Sequence, residues 1–217
     1  MNDEFKLNVC EIFLSLQGEG GYAGLPCIFI RLAGCNLRCK WCDSSYAWEN
    51  GTLMALKDIL EKTRSFKANL VMITGGEPLS QNDTYELTDT LIHSGYKVII
   101  NTNGSYPLER LHTDAIKMVD VKCPRSGEES SFLLSNISCL TDEDEANFVI
   151  CDRKDFDWAL NFIENNMNSS PATIRFTPAF NILEPSLLAD WILRVENKKI
   201  RLGMQLHKII WGERKGV

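Results

Sequence analysis

Apolar positions along this chain fall into short runs that alternate with longer helical stripes. Asn8–Leu16 alternates weakly and predicts a short strand or an extended arm. Cys27–Leu32 is an apolar run interrupted by Arg31 and predicts a buried strand. Leu53, Leu56, Ile59 and Leu60 recur at helical spacing, so a helix is expected over Leu53–Ser65. Leu70–Thr74 and Lys97–Ile100 predict two more buried strands, separated by a helical stripe over Asn82–Ser94 that Gly95 closes. A short helical piece around Leu108–Leu111 precedes a strand at Met118–Lys122. Polar residues then dominate Cys123–Asp144, which predicts an irregular excursion. The strand Ala146–Cys151 follows, then a helix over Asp155–Asn166 opened by Asp152 and Asp155. Thr173–Thr177 reads as a strand, Pro185–Glu196 as a helix with proline in its first turn, and Arg201–Leu206 as the last strand.

Strand and helix alternate over nearly the whole length, which implies parallel βα units. Seven strands, starting at Cys27, Leu70, Lys97, Met118, Ala146, Thr173 and Arg201, are matched by only four good helices. A complete barrel needs eight of each. The expected fold is therefore α/β, an incomplete, helix-poor parallel βα barrel, with residues 1–217 as one domain.

Composition narrows the classes of partner. The apolar share of 44% and charged share of 24% are those of an ordinary soluble globule. A net charge of −6 disfavours a nucleic-acid partner. The basic stretch Lys198, Lys199, Arg201, Lys208, Arg214 and Lys215 reads as a solvated face. No apolar run is long enough to span a bilayer, and Met1–Lys6 lacks the apolar core of a signal peptide. A cytoplasmic protein without a membrane partner is expected. Eight cysteines are present, and in such a compartment a cluster of them reads as metal ligation rather than as disulfides.

That cluster is Cys35, Cys39 and Cys42, spaced C-x₃-C-x₂-C directly after a predicted strand. A structural zinc site or an ordinary cubane takes four protein ligands. Three leave one metal position open to another ligand. Cys10, Cys27 and Cys151 lie in apolar runs and read as small hydrophobes. His93 and His112 read as structural. Ligands of parallel α/β sheets bind at the carboxyl ends of the strands. Four polar signatures fall there: the cysteine loop, Gly75-Gly76-Glu77-Pro78, Asn101-Thr102-Asn103-Gly104 and Cys123-Pro124-Arg125.

The cysteine spacing, with Gly75-Gly76-Glu77-Pro78 one βα unit later, resembles the radical S-adenosylmethionine (SAM) enzymes. The run Glu11-Ile12-Phe13-Leu14-Ser15-Leu16-Gln17-Gly18-Glu19-Gly20 resembles the N-terminal signature of the 7-carboxy-7-deazaguanine synthase family, which acts in queuosine and deazapurine biosynthesis. Arg31–Leu37, Cys42-Asp43-Ser44 and Gln205-Leu206-His207-Lys208 match that family too, so the likeness runs from Glu11 to Val217.

Several expectations follow from the resemblance. Cys35, Cys39 and Cys42 would hold a [4Fe-4S] cluster, with SAM on its fourth iron. SAM would be contacted by Trp41, Cys42, Asp43, Gly76 and Glu77, and further out by Cys123, Pro124, Arg125, Thr177, Pro178, Ala179 and Phe180. A pterin would be bound by Leu16, Gln17, Gly18 and Glu19, with Arg31 forking its carboxylate, Thr74 beneath it, His207 at the substrate end of the last strand, and Val217. Ser44 would bind Mg²⁺, where the family has threonine.

Reductive cleavage of SAM would give a 5′-deoxyadenosyl radical that takes hydrogen from C6 of 6-carboxy-5,6,7,8-tetrahydropterin. Ring contraction and loss of ammonia would give 7-carboxy-7-deazaguanine, with no side chain needed as a base for the first step. The family also implies a homodimer and a reductant such as flavodoxin or ferredoxin. Two other readings stay open on the residues alone. One is a glycyl-radical activating enzyme, which shares the cysteine spacing; the other is a non-catalytic Fe–S or zinc module.

Overall fold

The computed structural model describes residues 5–196, 199–214 and 216. Seven strands run parallel in chain order: β2 (Pro26–Leu32), β4 (Leu70–Gly75), β5 (Lys97–Thr102), β6 (Ile116–Asp120), β7 (Glu145–Ile150), β8 (Thr173–Pro178) and β9 (Ile200–Leu202). They coincide with the seven expected from the apolar runs. Two more strands extend the other edge antiparallel, β1 (Lys6–Leu16) on β2 and β3 (Thr52–Ala55) on β1, so the sheet order is β3-β1-β2-β4-β5-β6-β7-β8-β9. Five helices accompany them: α1 (Leu56–Arg64), α2 (Thr84–His93), α3 (Arg153–Phe162), α4 (Pro185–Ile192) and α5 (Leu206–Trp211). The partial, helix-poor βα barrel is thus present.

Four local expectations need correction. The weak alternation at Asn8–Leu16 is an eleven-residue strand, not a short arm. The helix expected from Leu53 begins at Leu56, because Thr52–Ala55 pairs with Val9–Lys6 as an edge strand and leaves Leu53 65% exposed. Leu108 and Leu111 are buried anchors of a turn rather than a helix; Asn136 braces that turn, accepting from Leu108 N and donating to the Gly104 and Tyr106 carbonyls. The last strand ends at Leu202 and the chain then turns into α5, so His207 lies in a helix and not on a strand.

Asp152 caps α3 by accepting from the Lys154 and Asp155 amides, and that helix relaxes into a π-helical turn over Ile163–Met167. His93 and His112 meet edge to face at 5.5 Å, away from the cleft. Among the described residues no helix is long and apolar enough to cross a membrane.

The two faces of the sheet divide the work. The helix-covered face carries the large core, with Ile28, Ile30, Leu32, Ile73, Leu87, Leu91, Phe148 and Phe176 all buried. Each such side chain contributes about 1.5–3 kcal/mol on burial. On the inner face, period-two alternation brings up a different set. Its lower half is apolar (Cys27, Leu70, Met72, Ile99, Ile116, Met118) and forms a small second core. Its upper half turns polar, with Arg31, Thr74, Asn101, Asp120, Asn147 and Thr177 at the carboxyl ends. A single strand such as β2 shows the gradient, from Cys27 through Phe29 to Arg31.

Candidate active site

That polar rim surrounds a cleft of about 500 Å³, within the range of small-molecule sites. Its lining runs from Phe13 and Leu16 on β1 round to Gln205, His207 and Lys208 near the C-terminus. Leu16, Gln17, Gly18, Glu19, Arg31, Trp41, Cys42, Asp43, Ser44, Thr74, Gly76, Thr177, Ala179, Phe180 and His207 all reach it, as does Cys39.

At one end lies the loop that leaves β2. Its backbone is held by Gly34 N to Ala47 O (2.9 Å), Glu77 N to Gly34 O (2.8 Å) and Lys40 N to Ser126 O (3.1 Å). Arg38 donates to the Cys35 and Leu37 carbonyls at 2.8 Å each and lies over the Trp48 ring at 4.6 Å. Cys35, Cys39 and Cys42 are half-buried thiols outside any disulfide. Burial pushes all three thiol pKa values up; neighbouring cysteines add to the effect at Cys35 and Cys39, and the Asp43 carboxylate adds to it at Cys42. Against this, Cys35 accepts from the Leu37 amide, while the Ser44 amide and the Trp48 side chain bond Cys42.

Lys122 faces the same thiols. Burial alone would lower its pKa, but the Asp120 carboxylate (3.3 Å) and negative charge at Cys39 and Cys42 when they are ionised outweigh it and hold the ammonium charged. Its Nζ also lies 5.5 Å from the centre of the Trp41 ring, whose own Nε1 is buried without a partner.

Glu77 is fully buried below this floor. Its Oε1 accepts from Leu79 N (2.9 Å) and Thr102 Oγ1 (2.7 Å), and its Oε2 from Asn103 N (2.7 Å). The carboxylate is therefore occupied by its own chain and does not line the cleft, which corrects the expectation that Glu77 contacts SAM through its side chain. It ties the loops after β4 and β5 together, and Asn103 Nδ2 carries the link on to Asn36 Oδ1 (3.1 Å) in the cysteine loop. Gly76 lies so close to Gly34 O and the Cys35 Cβ that no side chain fits there.

The other end of the cleft is built from residues far apart in sequence. Gln17 is only 2% exposed, and its amide Nε2 has two thioethers for neighbours, Met72 (3.6 Å) and Met118 (4.0 Å). These weak acceptors leave it ready to donate to a ligand. Glu19 accepts from Gln205 Nε2 (3.0 Å) and Arg175 Nη2 (3.4 Å). Arg31 uses Nε for Glu11 (2.8 Å), which leaves the outer guanidinium nitrogens for an anion. Tyr46 donates to the same Glu11 oxygen at 2.8 Å. Phe13 and Phe29 stack at 5.1 Å to form an apolar wall. His207 packs against Gly18, where a Cβ would collide with its ring, and burial lowers its pKa. Lys208 closes the rim, 3.8 Å from Asp43 and 5.3 Å from the Phe180 ring centre.

Some expected contacts are not made. Cys123 points into the main core, its thiol pushed far up by burial. Pro124 opens a 3₁₀ turn, and Arg125 is exposed and paired with Asp152 at 3.1 Å. None of the three reaches the cleft; Lys122 is the member of that segment that does. Pro178 is held in the β8–β7 pairing, opposite Ile150. Val217 lies outside the described residues. Sequence reasoning overlooked Lys122, Asp120, Asn147 and the Phe13–Phe29 wall. Their signal was alternation: Asp120 and Lys122 continue the inward-facing series of Met118.

Comparison with known proteins completes the picture. Residues 29–120 match the model of the radical SAM superfamily. A 7-carboxy-7-deazaguanine synthase of Koribacter versatilis is 42% identical, over 97% of this chain and 100% of that protein. The chain belongs to the 7-carboxy-7-deazaguanine synthase family. A second member, from Chlorobaculum tepidum, is 38% identical over 97% of both chains. The crystal structure of QueE from Escherichia coli superposes with a TM-score of 0.79 at 26% identity, covering 93% of this chain and 95% of that one.

Membership makes this a radical SAM enzyme, with a [4Fe-4S] cluster and SAM as cofactors. The residues fit both. Three disulfide-free thiols share one braced loop beside a charged ammonium, the Trp41 N–H is a buried donor without a partner, and Gly76, packed against the Cys35 loop, lines the cleft with backbone alone.

Proposed function

We propose that the enzyme converts 6-carboxy-5,6,7,8-tetrahydropterin to 7-carboxy-7-deazaguanine with loss of ammonia. The observation that carries this reading is the second end of the cleft. Gln17, Glu19, Arg31 and His207, drawn from both ends of the chain, face the same space as the cysteine loop. Such a constellation has no role in activating a protein glycine, and a passive Fe–S module would not need it. The full-length likeness to synthases supports the same choice.

When bound, the cluster and SAM supply a carbon radical able to take hydrogen from C6 of the pterin. The chain's own residues do the rest. Arg31, anchored through Nε to Glu11, offers its remaining nitrogens to the pterin carboxylate. Gln17 donates its amide, the hairpin turn that carries Glu19 presents backbone groups, and the Phe13–Phe29 wall excludes water. Thr74 lies beneath, and the neutral His207 ring offers a donor or acceptor without adding charge. Gly76 lines the cleft with backbone that can meet the SAM methionine moiety, and Lys122 supplies a cation for its carboxylate.

Mg²⁺ fits beside Ser44, whose hydroxyl donates to Asp43 Oδ1 (2.9 Å); a hydroxyl and an adjacent carboxylate, completed by water and substrate oxygens, are the ligands this ion takes. Exposed Arg38 and Lys40 on the cluster loop suit an acidic one-electron donor such as flavodoxin or ferredoxin. Apolar Leu187, Leu193, Ile209 and Ile210 on the outer surface support assembly as a homodimer. A cytoplasmic setting accords with thiols that must stay reduced.

The deciding experiment is anaerobic. Cluster-loaded enzyme, dithionite, SAM and the pterin are combined, and 5′-deoxyadenosine and the ring-contracted acid are followed by mass spectrometry. Both products are expected. Deoxyadenosine without the acid refutes the substrate, and neither product from a loaded cluster refutes the chemistry.

A further inference from the structure

One buried cation on the inner face of the sheet has no part in the chemistry above. Arg175 lies on β8 with its side chain 5% exposed. A buried guanidinium persists only where partners compensate its charge. Here Nε donates to Asn147 Oδ1 (3.1 Å), Nη2 to Glu19 Oε2 (3.4 Å), and Nη1 lies 3.4 Å from Glu145 Oε2. The second oxygen of Glu145 accepts from the Gly21 amide at 2.5 Å, and the second oxygen of Glu19 from Gln205. One arginine on the far strands therefore gathers two carboxylates and, through them, the turn after β1.

The chain makes room for this arrangement at two glycines. A Cβ on Gly20 (φ +70°) would lie 2.7 Å from Glu145 Oε2 and 3.0 Å from Arg175 Nη1. A Cβ on Gly203 would lie 2.6 Å from both Arg175 Cγ and Cδ. The turn's other backbone bonds, Gln17 N to Leu25 O, Gly24 N to Gln17 O and Leu25 N to Tyr22 O, stay within its own hairpin. Toward the far edge of the sheet Arg175 and Glu145 fasten it, together with the Gln205 amide, Leu206 N to Gly18 O (2.8 Å) and the His207 ring against Gly18. On the nearer strands Lys97 lies over the Tyr22 ring, and Gln17 rests on Met72 and Met118.

We propose that Arg175, with Glu145, is a positioning residue of the reaction: it fixes the Gln17–Gly21 turn against the far edge of the partial barrel and so sets the pterin-facing groups. Its consequence for turnover rests on the pterin reading, while its structural part does not. The same arginine orients Asn147, whose Oδ1 also accepts from Thr177 (2.7 Å) and whose Nδ2 donates to Asp120 (2.7 Å). Its effect on the cluster end is therefore indirect, reaching Lys122 only through Asn147 and Asp120.

The test compares Arg175→Met, Arg175→Lys and Glu145→Gln in cluster-loaded enzyme. Three quantities are read: amide exchange over Gln17–Leu25, KM against kcat for the pterin, and deoxyadenosine formed per product. Arg175→Met is expected to speed exchange in that segment and raise KM by about tenfold. Iron content should be unchanged, and more SAM should be cleaved per product. Arg175→Lys should recover part of each shift. If Arg175→Met does not fold, Glu145→Gln gives the same readouts with smaller shifts, since it weakens the ion pair but keeps an oxygen for Gly21. Unaltered exchange overturns the proposal, as does fast exchange with unaltered KM. Should the parent enzyme make no product from the pterin, the substrate reading fails alone and the exchange data still judge the fastening.

Discussion

The two ends of the cleft are built on opposite plans. The cluster end is assembled from successive βα units between Gly34 and Ser126, and backbone groups hold most of it: Gly34, Gly76, Glu77, Asn103 and Ser126 all take part through main-chain atoms. The substrate end is assembled by side chains from distant segments; Glu19 and Arg175 lie 156 residues apart, Glu19 and Gln205 186. A backbone-built site tolerates change in its side chains but not in its glycines or ligands. A side-chain-built site can be retuned one contact at a time. The chemistry common to a superfamily thus sits where the fold is local, and the choice of substrate where it is long-range.

Substitutions at each end test that division. Cys39→Ser should have the largest effect, abolishing the visible Fe–S absorption and all deoxyadenosine formation. If amide exchange over Gln17–Leu25 also rose in that variant, the two ends would not be independent. Arg31→Met should raise the pterin KM by roughly two to three orders of magnitude, because it removes the partner of an anion and takes the guanidinium from Glu11. Iron content and SAM cleavage without pterin, measured in parallel, should match the parent.

A third prediction concerns pH and the cluster end. Burial pushes the Glu77 carboxyl from 4.5 up to about 7, despite three donated hydrogen bonds. Between those values the folded chain holds a proton that the unfolded chain has released. The contribution is therefore full below the unfolded value and is lost as pH rises through about 7, by about 3 kcal/mol. Urea unfolding of the reduced, cluster-free protein should show that slope, and Glu77→Gln should lose it. The smallest effect is expected at Ser44: Ser44→Ala should weaken stimulation of turnover by Mg²⁺, whereas Ser44→Thr should preserve it. Equal Mg²⁺ response in both would remove Ser44 from the site.

The same contrast explains what could be read from residues alone. Buried parallel strands announce themselves as apolar runs, and all seven were legible. Edge strands do not: Leu53 fits a helical stripe, and only its pairing with Asn8 makes it part of a strand. The cysteine loop was legible because its ligands fall within eight residues of one another. Glu77 was legible as a site residue but not in its orientation, which depends on donors from the next βα unit. Arg175 carried no local signal. An arginine inside an apolar strand reads as an irregularity until Glu145 and Glu19 are brought beside it. Cys123 misled for the opposite reason, since its place just after a strand suggested a cleft contact while its side chain turned into the core.

The seating of His207 against Gly18 has a consequence for how the molecule is made. Translation delivers Gly18 long before His207. By the time Glu128 has emerged, accepting from the Arg38 amide, the backbone bonds that brace the cysteine loop can all form, and that half can take shape on the ribosome. The pterin half cannot close until α5 arrives to occupy the space that a glycine left for it. Iron acquisition can thus precede substrate selectivity during biogenesis, and a chain arrested before α5 would present a metal loop with no working recognition site.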